Sequence, residues 1–309
     1  MRSVKFRGLE TLRRHRWRYI AFIAGFLLLV HPFALLIRAA YSVLGSAAEP
    51  NLHRVCFRMP IDWLMGGRFE MFVGRSLNLL FIMAVLAIAF FFGPLFCGWL
   101  CPVGSLTEVL SRQVPHRFKI DLSSKIDPAA LRYGFFASYV LVAISTSITP
   151  ESPVLAECCA PGTRSLAQTL GLASICCRYC ASSQLQNIVD GAFNPGVLEF
   201  WHSGAILVLG VWLVLGGFLW QGGRGWCLYG CPLGALSNIL HYIGSKLGFT
   251  YRVRHDATRC TRCLRCKDVC PTWAINGGPK KIEINSHTCN GCLECAKICD
   301  QRCYSYRRD

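Results

Sequence analysis

Residues 97–110 read CGWLCPVGSLTEVL: two cysteines four apart, then a proline, where a long apolar run ends. The pattern returns at residues 227–240 as CLYGCPLGALSNIL. Aligned, the two stretches share both cysteines, the proline, Gly104/Gly234, Leu106/Leu236 and Leu110/Leu240, with Val103/Leu233, Ser105/Ala235 and Thr107/Ser237 as conservative pairs. An apolar segment followed by C-x3-C-P is therefore an internal repeat, one structural unit used twice. The repeat brings four thiols, Cys97, Cys101, Cys227 and Cys231, toward one end of the structure.

Working outward, the chain of 309 residues is 53% hydrophobic and 16% charged, with a mean hydropathy of +0.36, a composition that points to a membrane protein. Four segments approach the roughly 20 apolar residues needed to span a bilayer. They are Tyr19–Ala40, Leu79–Leu100, Leu131–Thr149 and Trp201–Trp220, with Arg132 placed to snorkel at the start of the third. The GSAA at 45–48 allows the first to be a signal peptide, but its apolar stretch is longer than such a region, which favours an uncleaved span. His31 and Arg38 read as anchors at a helix end, or as part of a quinone pocket. The expected fold is an α-helical membrane protein, residues 1–250, with four transmembrane helices in two parallel repeats and two C-x3-C-P motifs. Its net charge of +16 lies mostly in residues 1–18, 101–130 and beyond Arg224. The positive-inside rule then places both termini and both motifs in the cytoplasm of a multi-pass protein of the bacterial inner membrane. No nucleic-acid motif accompanies the charge, so nucleic acid is not an expected partner.

From about Tyr251 the sequence turns polar and cysteine-rich. Cys260, Cys263, Cys266 and Cys270-Pro271 form C-x2-C-x2-C-x3-C-P, and Cys289, Cys292, Cys295 and Cys299 repeat the spacing. This is the bacterial two-cluster ferredoxin pattern, in which the fourth cysteine of each run serves the other cluster. Residues 251–309 are thus expected to be a small α+β domain with two [4Fe–4S] clusters. One would be held by Cys260, Cys263, Cys266 and Cys299, the other by Cys289, Cys292, Cys295 and Cys270. Zinc also takes four thiolates, but usually from separated C-x2-C pairs rather than two tandem runs of four.

The C-x3-C-P pairs admit a further iron–sulfur centre, a dithiol couple, or simple packing with the proline opening the next helix. The outward segment contributes Cys158, Cys159, Cys176, Cys177 and Cys180, with Cys56 on another outer loop. These are disulfide partners in an oxidising compartment or, on the sharper reading, metal ligands. No His follows Cys180, so the c-type haem signature is absent, and Cys303 reads as a packing or spare thiol.

With FCGWLCP at 96–102, GWCLYGCPLGAL at 225–236 and the two ferredoxin runs, the chain resembles a known family. This is the four-helix ferredoxin-type membrane subunit of the periplasmic nitrate reductase quinol dehydrogenase, together with its methylamine utilisation relative. The resemblance supports the two cysteine pairs and the eight ferredoxin cysteines, while the cysteine-rich outer segment departs from it. It implies electron transfer between membrane quinol and periplasmic redox proteins, with a soluble ferredoxin-type subunit as partner, and hence an oxidoreductase component. The alternative is an electron-supplying maturation factor for a periplasmic metallo- or quinone-cofactor enzyme. No Gly-rich phosphate loop, G-x-S-x-G or H-E-x-x-H is present, so the chain's task is to hold and space redox centres.

Overall fold

The computed structural model describes residues 8–30, 33–43, 64, 76–115, 118–120, 127–147, 180–193, 210–277 and 281–308. The helical part comprises α1 (Gly8–Leu29), α2 (Leu35–Val43), α3 (Ser76–Phe92), α4 (Pro102–Gln113), α5 (Pro128–Ser147), α6 (Ala181–Phe193) and α7 (Pro232–Ser245). Both repeat motifs take one local form. A five-residue π-helical turn, Phe96–Leu100 or Trp226–Gly230, closes with the amide of Cys101 or Cys231 donating five residues back, at 3.0 Å in each case. That cysteine is extended and precedes the next helix, whose first residue is Pro102 or Pro232. Proline fits there because the first amide of a helix has no intrahelical acceptor.

Among the described residues no helix is long and apolar enough to cross a membrane, which corrects the expected four-span, multi-pass fold at about 19–40, 79–100, 131–149 and 201–220. The first segment belongs to a helix that starts at Gly8 among basic residues, buries Arg18 and stops at Leu29. The second breaks after 17 residues, because Gly93 takes φ +79 and Pro94 follows it. The His241 ring lies where a Gly93 Cβ would stand, so the break is also a packing contact. In the third, Arg132 is 3% exposed rather than snorkelling. In the fourth, Val211–Leu219 is a nine-residue π-helical stretch ended by extended Trp220, while residues 201–209 lie outside the described set. The apolar side chains responsible for the hydropathy are in part exposed, as at Leu80, Met83, Phe135 and Leu141.

The C-terminal unit is a small α+β fold. Strands β1 (Tyr251–His255) and β4 (Tyr304–Arg308) pair antiparallel, as do β2 (Ile275–Gly277) and β3 (Ile282–Ile284). Helices α8 (Arg265–Val269) and α9 (Glu294–Ile298) each carry the third cysteine of a run and end just before its fourth, and Leu264 and Leu293, both left-handed, precede them. Left-handed backbone recurs at Arg262 and Gly291, and at Trp273 and Arg302, so the unit repeats itself conformationally as well as in sequence.

Buried charge joins the two parts. Glu108 of α4 accepts from Arg18, Arg112 and Arg224, each at 2.6 Å. Arg18 and Arg112 reach on to Glu294 of α9, at 2.9 and 3.4 Å. Both carboxylates are 2% exposed or less. Removing one partner from such a buried set leaves uncompensated charge, at a cost of about 3–5 kcal/mol. Burial by itself would raise the Glu108 pKa, but the Arg18, Arg224 and Arg112 guanidiniums outweigh it and hold the carboxyl below its ordinary 4.5. A depressed carboxyl stabilises the fold fully above its unfolded pKa and loses that contribution as pH falls through the folded value. Urea unfolding of the wild type should therefore show stability falling below about pH 4.5, with a shallower fall in Glu108→Gln. At neutral pH that variant should be less stable by about 3–5 kcal/mol.

Candidate iron–sulfur site

Two cavities in the C-terminal unit sort the eight cysteines. One is lined by Cys270, Cys289, Cys292 and Cys295 among Val253, Ile275, Ile284 and Leu293. The other is lined by Cys260, Cys263, Cys266 and Cys299, with Ile282, Ile298 and Tyr304 and the charged Arg265 and Asp300. Each wall thus takes three cysteines from one run and the fourth from the other, the crossed set read from the spacing. Among the described residues no three His, Cys, Asp or Glu side chains converge as ligands of a single metal ion. Four thiols spread around each cavity fit a multi-iron cubane, and these residues would hold one in each, supplying its thiolate ligands.

Backbone amides point at the sulfurs. Ala274 donates to Cys270 Sγ at 3.2 Å, Cys303 to Cys299 Sγ at 3.4 Å and Arg262 to Cys260 Sγ at 3.4 Å. Such N–H···S bonds tune cluster potential. Cys303, 2% exposed, occupies the position in the second half that Ala274 occupies in the first. Its amide serves Cys299 while its side chain lines the second cavity. The spacing from Ala274 to Cys303 matches that from Cys270 to Cys299, a signal present in the sequence. Burial is the main influence pushing the Cys292 thiol up to about 12, opposed by Arg18 and reinforced by Glu294. A buried thiol of this kind is deprotonated by coordination to a metal.

The four repeat cysteines also meet. The Cys227 thiol is hydrogen-bonded to Cys101, which raises its pKa, with burial adding to the effect and Arg224 and Arg132 opposing it. Cys231 is raised by burial and by its neighbours Cys227 and Cys97, and the Gly234 amide donates to its sulfur at 3.4 Å. The sequence reading set Cys180 on the opposite side of a bilayer from these motifs. The structure instead packs it with Cys101 and Cys231 around Val103, Ala181, Leu185 and Trp226. Cys56, Cys158, Cys159, Cys176 and Cys177 lie outside the described residues, as does His31, and Arg38 is exposed.

Two buried arginines that composition alone did not single out hold the motif loops. Arg224 is 0% exposed and donates to the carbonyls of Cys97 and Gly98. Arg132 donates to Cys227 O and Leu228 O, each at 2.9 Å, and to His287 O at 2.6 Å. The sequence signal for Arg132 was an arginine inside an apolar run, which solvent exposure had been expected to satisfy.

Known proteins match the same segments of the chain. The family profile described as a 4Fe-4S binding domain matches residues 77–123 and 201–250, one segment over each C-x3-C-P motif. The profile described as a 4Fe-4S dicluster domain matches residues 252–300. YccM of Escherichia coli, named for electron transport, is 22% identical over 251 residues, covering 78% of this chain and 60% of the relative. The ferredoxin-type protein NapH of the same organism is 26% identical over 212 residues, 67% of this chain and 59% of NapH. NapH of Haemophilus influenzae is 26% identical over 231 residues, 72% and 65% of the two chains. The chain thus spans about three fifths of the length of the curated relatives it matches. No solved structure matches it. It is homologous to ferredoxin-type electron transport proteins of the NapH kind and carries 4Fe–4S binding domains.

The cavities make a specific forecast for paramagnetic resonance of the reduced, anaerobically purified protein. Cys270→Ser and Cys292→Ser should disturb one cluster signal, and Cys263→Ser and Cys299→Ser the other. Disturbance of a single signal by Cys270→Ser and Cys263→Ser together would contradict the crossed sets.

Proposed function

We propose that the chain is an iron–sulfur relay passing electrons between the quinol pool and a redox partner protein at the bacterial cytoplasmic membrane. In this reading Cys260, Cys263, Cys266 and Cys299 ligate one [4Fe–4S] cluster, and Cys270, Cys289, Cys292 and Cys295 the other. Cys97, Cys101, Cys227 and Cys231 provide a third redox centre. The observation that carries the reading is the crossed lining of the two cavities, with four repeat cysteines gathered beside them. Bound clusters supply the one-electron chemistry, while the chain spaces them, excludes water and donates amide hydrogens to sulfur. The quinol end is supported by the family resemblance, and exposed apolar side chains on α3 and α5 suit a site of action against lipid.

Two measurements test this. Quinol analogue and a soluble ferredoxin-type subunit, added to anaerobically purified protein, should bleach the cluster absorbance. A fully iron-loaded chain that stays oxidised with every quinol and partner tried rules out the quinol end. Cys97→Ser should lower iron and sulfide while sparing both ferredoxin signals, and unchanged iron would remove the third centre.

A further inference from the structure

The two ferredoxin clusters do not stand equally toward the repeat cysteines. The segment His287–Cys292, which opens the second cysteine run, is seated on both C-x3-C-P loops. On the first loop, Trp99 Nε1 donates to Gly291 O at 3.1 Å, and a Cβ on Gly98 would overlap the Asn290 carbonyl. The Leu95 side chain would meet a Cβ on Gly291 at 3.0 Å. On the second loop, Arg132 ties Cys227 O and Leu228 O to His287 O, which Asn238 also donates to. The backbone beside Cys97 therefore touches the backbone beside Cys292. The other cavity has an exposed ligand, Cys263, at its rim.

Buried charge is concentrated at this seam. A Cβ on Gly104 would stand 2.7 Å from Arg224 Nη1 and 3.0 Å from Cys227 Sγ, so guanidinium and thiol meet over that glycine. Arg224 is also an electrostatic neighbour of Cys292. The network around it holds three arginines, Arg18, Arg112 and Arg224, against two carboxylates, Glu108 and Glu294. Arg18 and Arg224 balance the two carboxylates in full burial, and the partly exposed Arg112 and Lys297 add positive charge around them, which suits an anionic centre within reach. A cubane with four thiolates is such an anion.

The geometry points to an ordered relay: the centre of Cys97, Cys101, Cys227 and Cys231 exchanges electrons with the cluster of Cys270, Cys289, Cys292 and Cys295, across the Gly98–Asn290 contact. Arg224 is the positioning residue that couples the two, and the Cys260 cluster is the outer member. One electron moves per step; the donor centre is oxidised by one and the acceptor reduced by one, with no bond made or broken. The inference rests on the proposal that the repeat cysteines hold a redox centre.

Its test is paramagnetic resonance on the full chain. In reduced wild type, spin coupling to the repeat-cysteine centre should be strongest for the signal that Cys292→Ser removes. Arg224→Gln should lower the midpoint potentials of that cluster and of the repeat-cysteine centre, since lost positive charge disfavours the more negative reduced form. The Cys260 cluster should be unmoved, and Arg224→Lys should recover most of the shift. Gly98→Ala should slow transfer between the coupled pair at unchanged iron content, read by rapid-freeze quenching. Stronger coupling to the signal that Cys263→Ser removes would overturn the order. Equal shifts of all centres in Arg224→Gln would overturn the positioning role. Should the arginine variants fail to load iron, the wild-type coupling decides alone. If Cys97→Ser keeps full iron, the third centre itself falls; if it loses iron but the pair is uncoupled, only this inference falls.

Discussion

Glu108 is the constraint on which the assembly turns. A single carboxylate, 1% exposed, gathers guanidiniums from α1, from its own helix and from the segment before the second motif. Two of these, Arg18 and Arg112, continue to Glu294 in α9. The helical part and the ferredoxin unit are consequently not two bodies on a tether. They share one buried ionic lattice, in which each carboxylate is tolerable because cations surround it, and Arg224 lies against the Cys227 thiol.

The repeat explains how a small ferredoxin unit can be gripped from two sides. Glu108 and Asn238 are equivalent positions in the aligned motifs, both buried. The first binds the arginines that lead to Glu294, and the second donates to His287 O. Each motif loop is also braced by an arginine spending its fork on backbone carbonyls, Arg224 on one and Arg132 on the other. Duplication supplied two equivalent arms, and substitution at one position made one arm ionic and the other a hydrogen-bond donor.

Legibility in the sequence followed the range of the interactions. The 4Fe–4S character of the ferredoxin unit was readable because its information is local, in the cysteine spacing within each run. The C-x3-C-P repeat was readable for the same reason, and both copies adopt one turn-and-cap geometry. Hydropathy misled where it averaged over breaks. Leu79–Leu100 looks continuous, yet Gly93-Pro94 divides it. Arg18 belongs to a basic segment and Arg132 to an apolar one, and both are buried against groups distant in sequence. No periodicity reports a partner eighty or more residues away. The positive-inside rule puts Cys180 on an outer face, and it packs instead with Cys101 and Cys231.

The two halves of the ferredoxin unit differ at one matched position, where Arg262 and Gly291 both adopt left-handed backbone. Glycine takes that conformation without penalty, and at 291 it also leaves room for Leu95. Arg262, exposed, bears the strain and fills the equivalent place with a long cationic side chain. The duplicated loops have thus become a fixed polarity. One end of the unit packs within the chain and its twin is open to water, so the domain could not be turned end for end and still fit.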